Sequence, residues 1–223
     1  GGSGTEDDPY IITTPAQLNH VRNYLDAHFK LEANLDLSGY KTGGGWEPIA
    51  SGFTPSQNDT YFRGSFDGNG FKISNLTIDR QDEDFTGLFA ALGYEGVIRN
   101  LHLENVTIRG KLGVGSLVGI NRGHIENVSI SGGMVEGERS VGGLVGRHSG
   151  VLINSNANVS VSASFEYVGG LVGLMSGAND TTIAIRDSYA SVDITGGTNA
   201  GVGGLVGRNE TGNWGSINEI TNC

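Results

Sequence analysis

Val141-Gly-Gly-Leu-Val-Gly146 returns as Val168-Gly-Gly-Leu-Val-Gly173 and again as Val202-Gly-Gly-Leu-Val-Gly207. Looser copies stand upstream at Val114-Gly-Ser-Leu-Val-Gly119 and Thr86-Gly-Leu-Phe-Ala90. Their leading glycines, Gly87, Gly115, Gly142, Gly169 and Gly203, are 28, 27, 27 and 34 residues apart. A fixed interval of this length is the mark of an architecture built by stacking one supersecondary unit, and the wider last interval predicts an inserted loop of about seven residues.

Two further columns run in phase with the glycine block. The first reads Ile73-Ser-Asn75, Ile98-Arg-Asn100, Ile125-Glu-Asn127, Leu152-Ile-Asn154, Ile185-Arg-Asp187 and Ile220-Thr-Asn222. Asn tolerates left-handed backbone angles, and its amide can bond the neighbouring copy, so Asn75, Asn100, Asn127, Asn154, Asp187 and Asn222 are expected to form a ladder at a stacked turn. The second column holds Val106-Thr-Ile108, Met134-Val135, Val159-Ser-Val161 and Val192-Asp-Ile194. Three short β-prone segments per interval, parted by Gly, Asn or Ser, predict an all-β chain. The reading is a parallel β-helix of about 27 residues per coil, with aliphatic side chains stacked inward. Helical repeats are excluded, because no long stretch after Gly64 keeps a 3.6-residue apolar period free of Gly.

The first third differs. Thr14-Pro15-Ala16-Gln17 supplies an N-cap, a proline at the first helical position and a Gln three residues after the cap. Leu18, Val21 and Leu25 then share a face, so a capping helix over 15–28 is expected, followed by strand-like sequence from Lys30 to Leu37. Residues 1–13 read as linker and entry segment, 14–63 as the cap, and 64–223 as β-helix cut mid-coil, with 5–223 one continuous domain.

Composition narrows the function. Of 223 residues 38 are Gly, the apolar fraction is 37% and the charged fraction 17%. Such a chain is neither apolar enough for membrane spans nor charged enough to stay unfolded. The net charge of −10, with 14 scattered Lys and Arg, disfavours nucleic acid as a partner. The single cysteine excludes an intrachain disulfide and any multi-cysteine metal site. Cys223 falls in the column of Leu76, Leu101, Val128, Ser155 and Ser188, which reads as a small inward-facing position.

The Val-Gly-Gly-Leu-Val-Gly blocks resemble the GLUG motif of bacterial surface proteins. Tyr10-Ile-Ile-Thr-Thr-Pro-Ala-Gln-Leu18, Leu35-Asp-Leu-Ser-Gly39, Trp46-Glu-Pro-Ile49 and Gly64-Ser-Phe-Asp-Gly-Asn-Gly70 are similar to the stretch that precedes such repeats. The resemblance covers most of the chain. It implies a right-handed parallel β-helix within a secreted or wall-associated protein, such as an adhesin or the non-catalytic part of an immunoglobulin-A peptidase, and it transfers no catalytic residue.

Candidate chemistry is sparse. A zinc peptidase would need His-Glu-x-x-His, which is absent. The acids of the array occupy different columns, with Glu126 expected where Ser74, Arg99 and Arg186 stand in other copies, so solvated faces are favoured over a glycosidase pair. Asp79-Arg-Gln-Asp-Glu-Asp84 offers hard oxygen ligands for a calcium ion but lacks the spaced loop pattern. The five histidines, His20, His28, His102, His124 and His148, are dispersed. Phe165, Tyr167 and Trp214 are the candidate contact aromatics for a glycan or host protein. Seven Asn-x-Ser/Thr triplets begin at Asn58, Asn75, Asn105, Asn127, Asn158, Asn179 and Asn209. They read either as glycan acceptors or as a by-product of an Asn turn followed by a β-branched strand.

The expectation is a non-enzymatic, extracellular module, a rigid stalk or adhesive display surface in a larger surface protein. Its partners would be neighbouring repeats or identical subunits, without cofactor and without membrane insertion. The alternatives are a filament subunit stacking end to end and a carbohydrate-active β-helix enzyme.

Overall fold

The computed structural model describes residues 1–51, 60–177, 182–197, 199, 201–210 and 217–223. The chain is all-β apart from a short helix, and every strand pair among the described residues is parallel. Five strands form one sheet, in the order Phe89–Leu92, Val118–Asn121, Val145–His148, Val172–Ser176 and Val206–Glu210. A 16-stranded sheet contains the remainder, including the long strands Val97–Arg109, His124–Gly142 and Asn156–Gly169. In the middle of the chain the register advances by whole glycine blocks, with Val118 opposite Val145, Val145 opposite Val172 and Ile98 opposite Ile125. Parallel neighbours in phase with the sequence period fit a β-helix.

The strands Val97–Arg109 and His124–Gly142 are folded at asparagines. Along Val97–Arg109 the inward residues are Ile98, Leu101, Leu103, Val106 and Ile108, so the two-residue alternation slips by one at Asn100 and again at Asn105. Both asparagines are left-handed, with φ of 53° and 56°. A left-handed residue bends the strand and resets which side faces the core, much as in a glycine-type bulge. Rows of aliphatics result, such as Ile98, Ile125, Leu152 and Ile185, all fully buried. Each fully buried Leu or Ile contributes roughly 1.5–3 kcal/mol.

The N-terminal end is closed by bulk. Thr14 caps the helix Pro15–His20, its Oγ accepting from the Gln17 amide at 3.3 Å while Gln17 Oε1 accepts from the Thr14 amide at 3.1 Å. Leu18 and Val21 are fully buried beneath it. Tyr10, Phe29, Phe62 and Phe89 follow one another with ring centroids 5.6, 6.2 and 5.1 Å apart.

The structure corrects four expectations. The helix does not run over 15–28: it ends at His20, continues as a 3-10 turn over Val21–Asn23, and breaks at Tyr24. His28–Leu31 is instead held as a strand between Tyr10–Ile12 and Ser65–Asp67, and the expected strand from Lys30 to Leu37 is split, with Leu35–Asp36 as its second piece. Asn75 is not in the column of Asn100. Phe66 pairs with Ile98, whereas Ile73 pairs with Leu103 and Ser74 with Glu104, so Asn75 shares a corner with Asn105. Cys223, expected to face inward, is exposed, its thiol 3.1 Å from the Thr221 carbonyl oxygen.

Candidate functional site

Two side-chain ladders run along the corners. In the first, Asn100 Nδ2 donates to Asp67 Oδ1 at 3.0 Å, Asn127 donates to Asn100 at 3.1 Å, and Asn154 donates to Asn127. Asn222 donates to Asp187 at 3.1 Å. In the second, Asn75 donates to Asp36 at 2.8 Å and Asn105 to Asn75 at 2.7 Å. All these asparagines, and Asp187, have positive φ between 47° and 59°. Each run begins on an aspartate, which accepts but cannot donate. The bond from Asn75 and those from Ser38 hold the Asp36 carboxyl below its ordinary pKa. Burial raises that of Asp67, but the bonds from Asn100, Asn69 and Arg99 outweigh it and the net shift is downward.

The five block glycines are required by contact. None has positive φ. A Cβ on Gly142 would lie 2.2 Å from the Val145 carbonyl oxygen, and one on Gly169 2.0 Å from that of Val172. Gly87, Gly115 and Gly203 meet backbone at 2.7, 2.6 and 1.8 Å. Here the chain leaves the large sheet and doubles back into the small one, so close backbone approach, and not a left-handed turn, explains them.

A third corner carries side chains with chemical potential. Phe85, Gly113, Ser140 and Tyr167 all have positive φ there, three of them without being Gly or Asn, a feature that no local motif announces. A groove of about 280 Å³ opens beside them, lined by Lys111, Arg139, Arg147, Glu138, Glu166 and Tyr167 among others. The expected contact aromatics Phe165 and Tyr167 lie here, but half-buried under cations. Arg139 covers the Phe165 ring at 4.5 Å, and Arg208 covers the Tyr167 ring at 4.7 Å while donating to its hydroxyl. Trp214 lies outside the described residues. Arg147 sits 5.9 Å from the Phe85 ring with its Nε buried and without a hydrogen-bond partner among the described residues, and burial lowers its pKa. Among the described residues the aromatic rings with most exposure are Tyr24, Tyr94 and Tyr189.

A second groove, about 510 Å³, is lined by Arg109, Glu136 and Glu138 together with small residues such as Gly137, Ser162 and Ala163. Arg109 bonds Glu136 at 2.7 Å. Elsewhere the Glu104 carboxyl is held low by Lys72 and that of Glu219 by Arg186, the wrong direction for a general acid. His102 lies between Ser129 and Ser131, at 2.7 and 3.0 Å, without a carboxylate bonded to its ring. Glu126 faces Arg99 and Ile153 in register, while Ser74, expected beside it, faces Glu104. The acids of 79–84 diverge, Asp79 toward Gln81 and Arg109, Glu83 toward Arg80 and Asp84 toward Arg147. Among the described residues no three His, Cys, Asp or Glu side chains gather as for a metal. None of the described helices is long and apolar enough to cross a membrane.

No family model matches the chain. It is 42% identical over 132 residues to a "Putative Gly-rich membrane protein" of Evansella cellulosilytica, a match covering 56% of this chain and 15% of that protein. It is 39% identical over 132 residues to halomucin of Haloquadratum walsbyi, covering 56% of this chain and 1% of that protein. The chain thus corresponds to a small part of each. Its fold is similar to the crystal structure of a "putative immunoglobulin A1 protease" from Bacteroides ovatus, with a TM-score of 0.63 and 20% identity over 99% of this chain and 79% of that one.

Proposed function

We propose that this chain is a right-handed β-helical module of about 27 residues per coil, carried by a cell-surface protein as a stiff, non-enzymatic spacer or adhesive display surface. The observation that carries the reading is the parallel register across successive strands, tied along its corners by the Asn ladders. Bending such a body would strain many short, mutually supporting contacts at once. The names of the two relatives, a membrane protein and a mucin, support placement at the cell surface. The likeness to a protease structure speaks for the fold alone, and the GLUG resemblance remains a reading of the glycine blocks.

Two assays test this. Purified chain is offered to arrays of glycans and extracellular-matrix proteins, and in parallel to panels of polysaccharide and peptide substrates. Binding without turnover supports a display surface. Turnover that survives repurification and disappears in Glu136→Gln overturns the non-enzymatic assignment.

A further inference from the structure

Four Asn-x-Ser/Thr triplets are described in full, and the fold treats them differently. Asn75, Asn105 and Asn127 are left-handed corner residues whose Nδ2 atoms are used in the ladders, bonding Asp36, Asn75 and Asn100 at 2.8, 2.7 and 3.1 Å. A sugar on any of these nitrogens would fill the gap through which it reaches its neighbour, because adjacent parallel strands are only about 4.8 Å apart. Asn158 stands apart. It lies within the straight part of Asn156–Gly169, where strict alternation buries Val159 and exposes both Asn158 and Ser160 on the same face. Neither side chain has a hydrogen-bond partner among the described residues. A polar trough of about 390 Å³ runs alongside, bordered by Gly132 and Gly133, which present no side chain to obstruct a first sugar.

We propose that Asn158 is the N-glycan acceptor among these four. The donor class is a lipid-linked oligosaccharide. The Asn158 Nδ2 bonds to C1 of the reducing-end sugar as the C1–O bond to the lipid phosphate breaks; that electron pair leaves with the phosphate, and the amide yields one proton to a base of the transferase. The hydroxyl of Ser160, on the same face, completes the acceptor triplet. The inference builds on surface placement, but its test reads the competence of the site whatever the natural role of the chain.

The full chain is secreted from a eukaryotic host that carries an oligosaccharyltransferase. Folded secreted protein is treated with peptide N-glycosidase in ¹⁸O-water, which marks each formerly glycosylated Asn as labelled Asp for peptide mass spectrometry. Label at Asn158 and none at Asn75, Asn105 or Asn127 is the expected result. Asn158→Gln, and independently Ser160→Ala, should remove the modification at 158 while secretion persists. An unmodified Asn158, or label at any of the three ladder sites in folded protein, overturns the proposal.

Discussion

Asn127 donates its side-chain amide to the side-chain oxygen of Asn100 at 3.1 Å, across 27 residues of sequence, while its own oxygen accepts from Asn154. Replacing Asn127 tests both the bonds and the backbone. Asn127→Ala loses two hydrogen bonds at about 0.5–1.5 kcal/mol each. It also places a Cβ residue without a compensating amide at φ 53°, which costs roughly 1–2 kcal/mol more. Asn127→Gly escapes the second penalty. In urea unfolding the order of stability should be wild type, Gly, Ala.

Asp187 interrupts its ladder, since a carboxylate cannot donate to the Asn154 oxygen. Asp187→Asn supplies the missing donor, retains tolerance of φ 51°, and still accepts from Asn222. Stability should rise by about 1 kcal/mol. A lower denaturation midpoint would show that Asp187 matters more for its charge beside Arg186 than for its place in the ladder.

The block glycines offer a matched comparison. Gly170 would bring a Cβ to 2.1 Å from the Gly204 carbonyl oxygen, whereas Gly204, its counterpart in the last block, has none of the described residues within 4 Å. Gly170→Ala should lower the melting temperature by several degrees, with a loss of about 1–3 kcal/mol for an overpacked contact. Gly204→Ala should leave it within error. Equal effects would refute close approach as the reason for the glycines.

His148 gives the stability a pH dependence. Its ring is fully buried, with Nδ1 3.0 Å from Asn121 Nδ2 and Nε2 3.2 Å from the Ala184 carbonyl oxygen, and burial lowers its pKa from 6.5 to about 4. Above pH 6.5 the ring is neutral in both folded and unfolded chains. As pH falls from 6.5 toward 4 the unfolded chain takes up a proton that the native chain refuses, so stability drops by up to about 3 kcal/mol. Chemical denaturation between pH 7 and 5 should show this slope in wild type and a flatter one in His148→Met.

Much of the architecture could be read from the sequence because its signals are local. Val-Gly-Gly-Leu-Val-Gly marks a close approach that only glycine permits, and an aliphatic-x-Asn triplet marks a left-handed corner. The misplacement of Asn75 has the same origin. Two different corners use the same triplet, and only the strand pairing shows that Ile73-Ser-Asn75 matches Leu103-Glu-Asn105. The second corner then passes to Gly132, opposite Asn105, which erases the amide from the column. The Arg147 groove was not legible, since it joins residues from neighbouring strands whose positive φ falls on Phe85, Ser140 and Tyr167, types that carry no turn signal. The helix was overextended for a related reason: an apolar period through Leu25 cannot reveal that His28–Leu31 has partners on both sides as a strand.

The ladder amides all donate in one direction, and the strands they join all run in one direction. A segment of one period, excised or duplicated within the run from Asn100 to Asn154, would therefore bring together corners that already fit, with donors still meeting acceptors. Recombination within such a gene would change the reach of its product by whole increments while leaving the chemistry of every junction as it was. Length becomes a heritable variable largely separate from stability, and selection can adjust it without first solving a new packing problem.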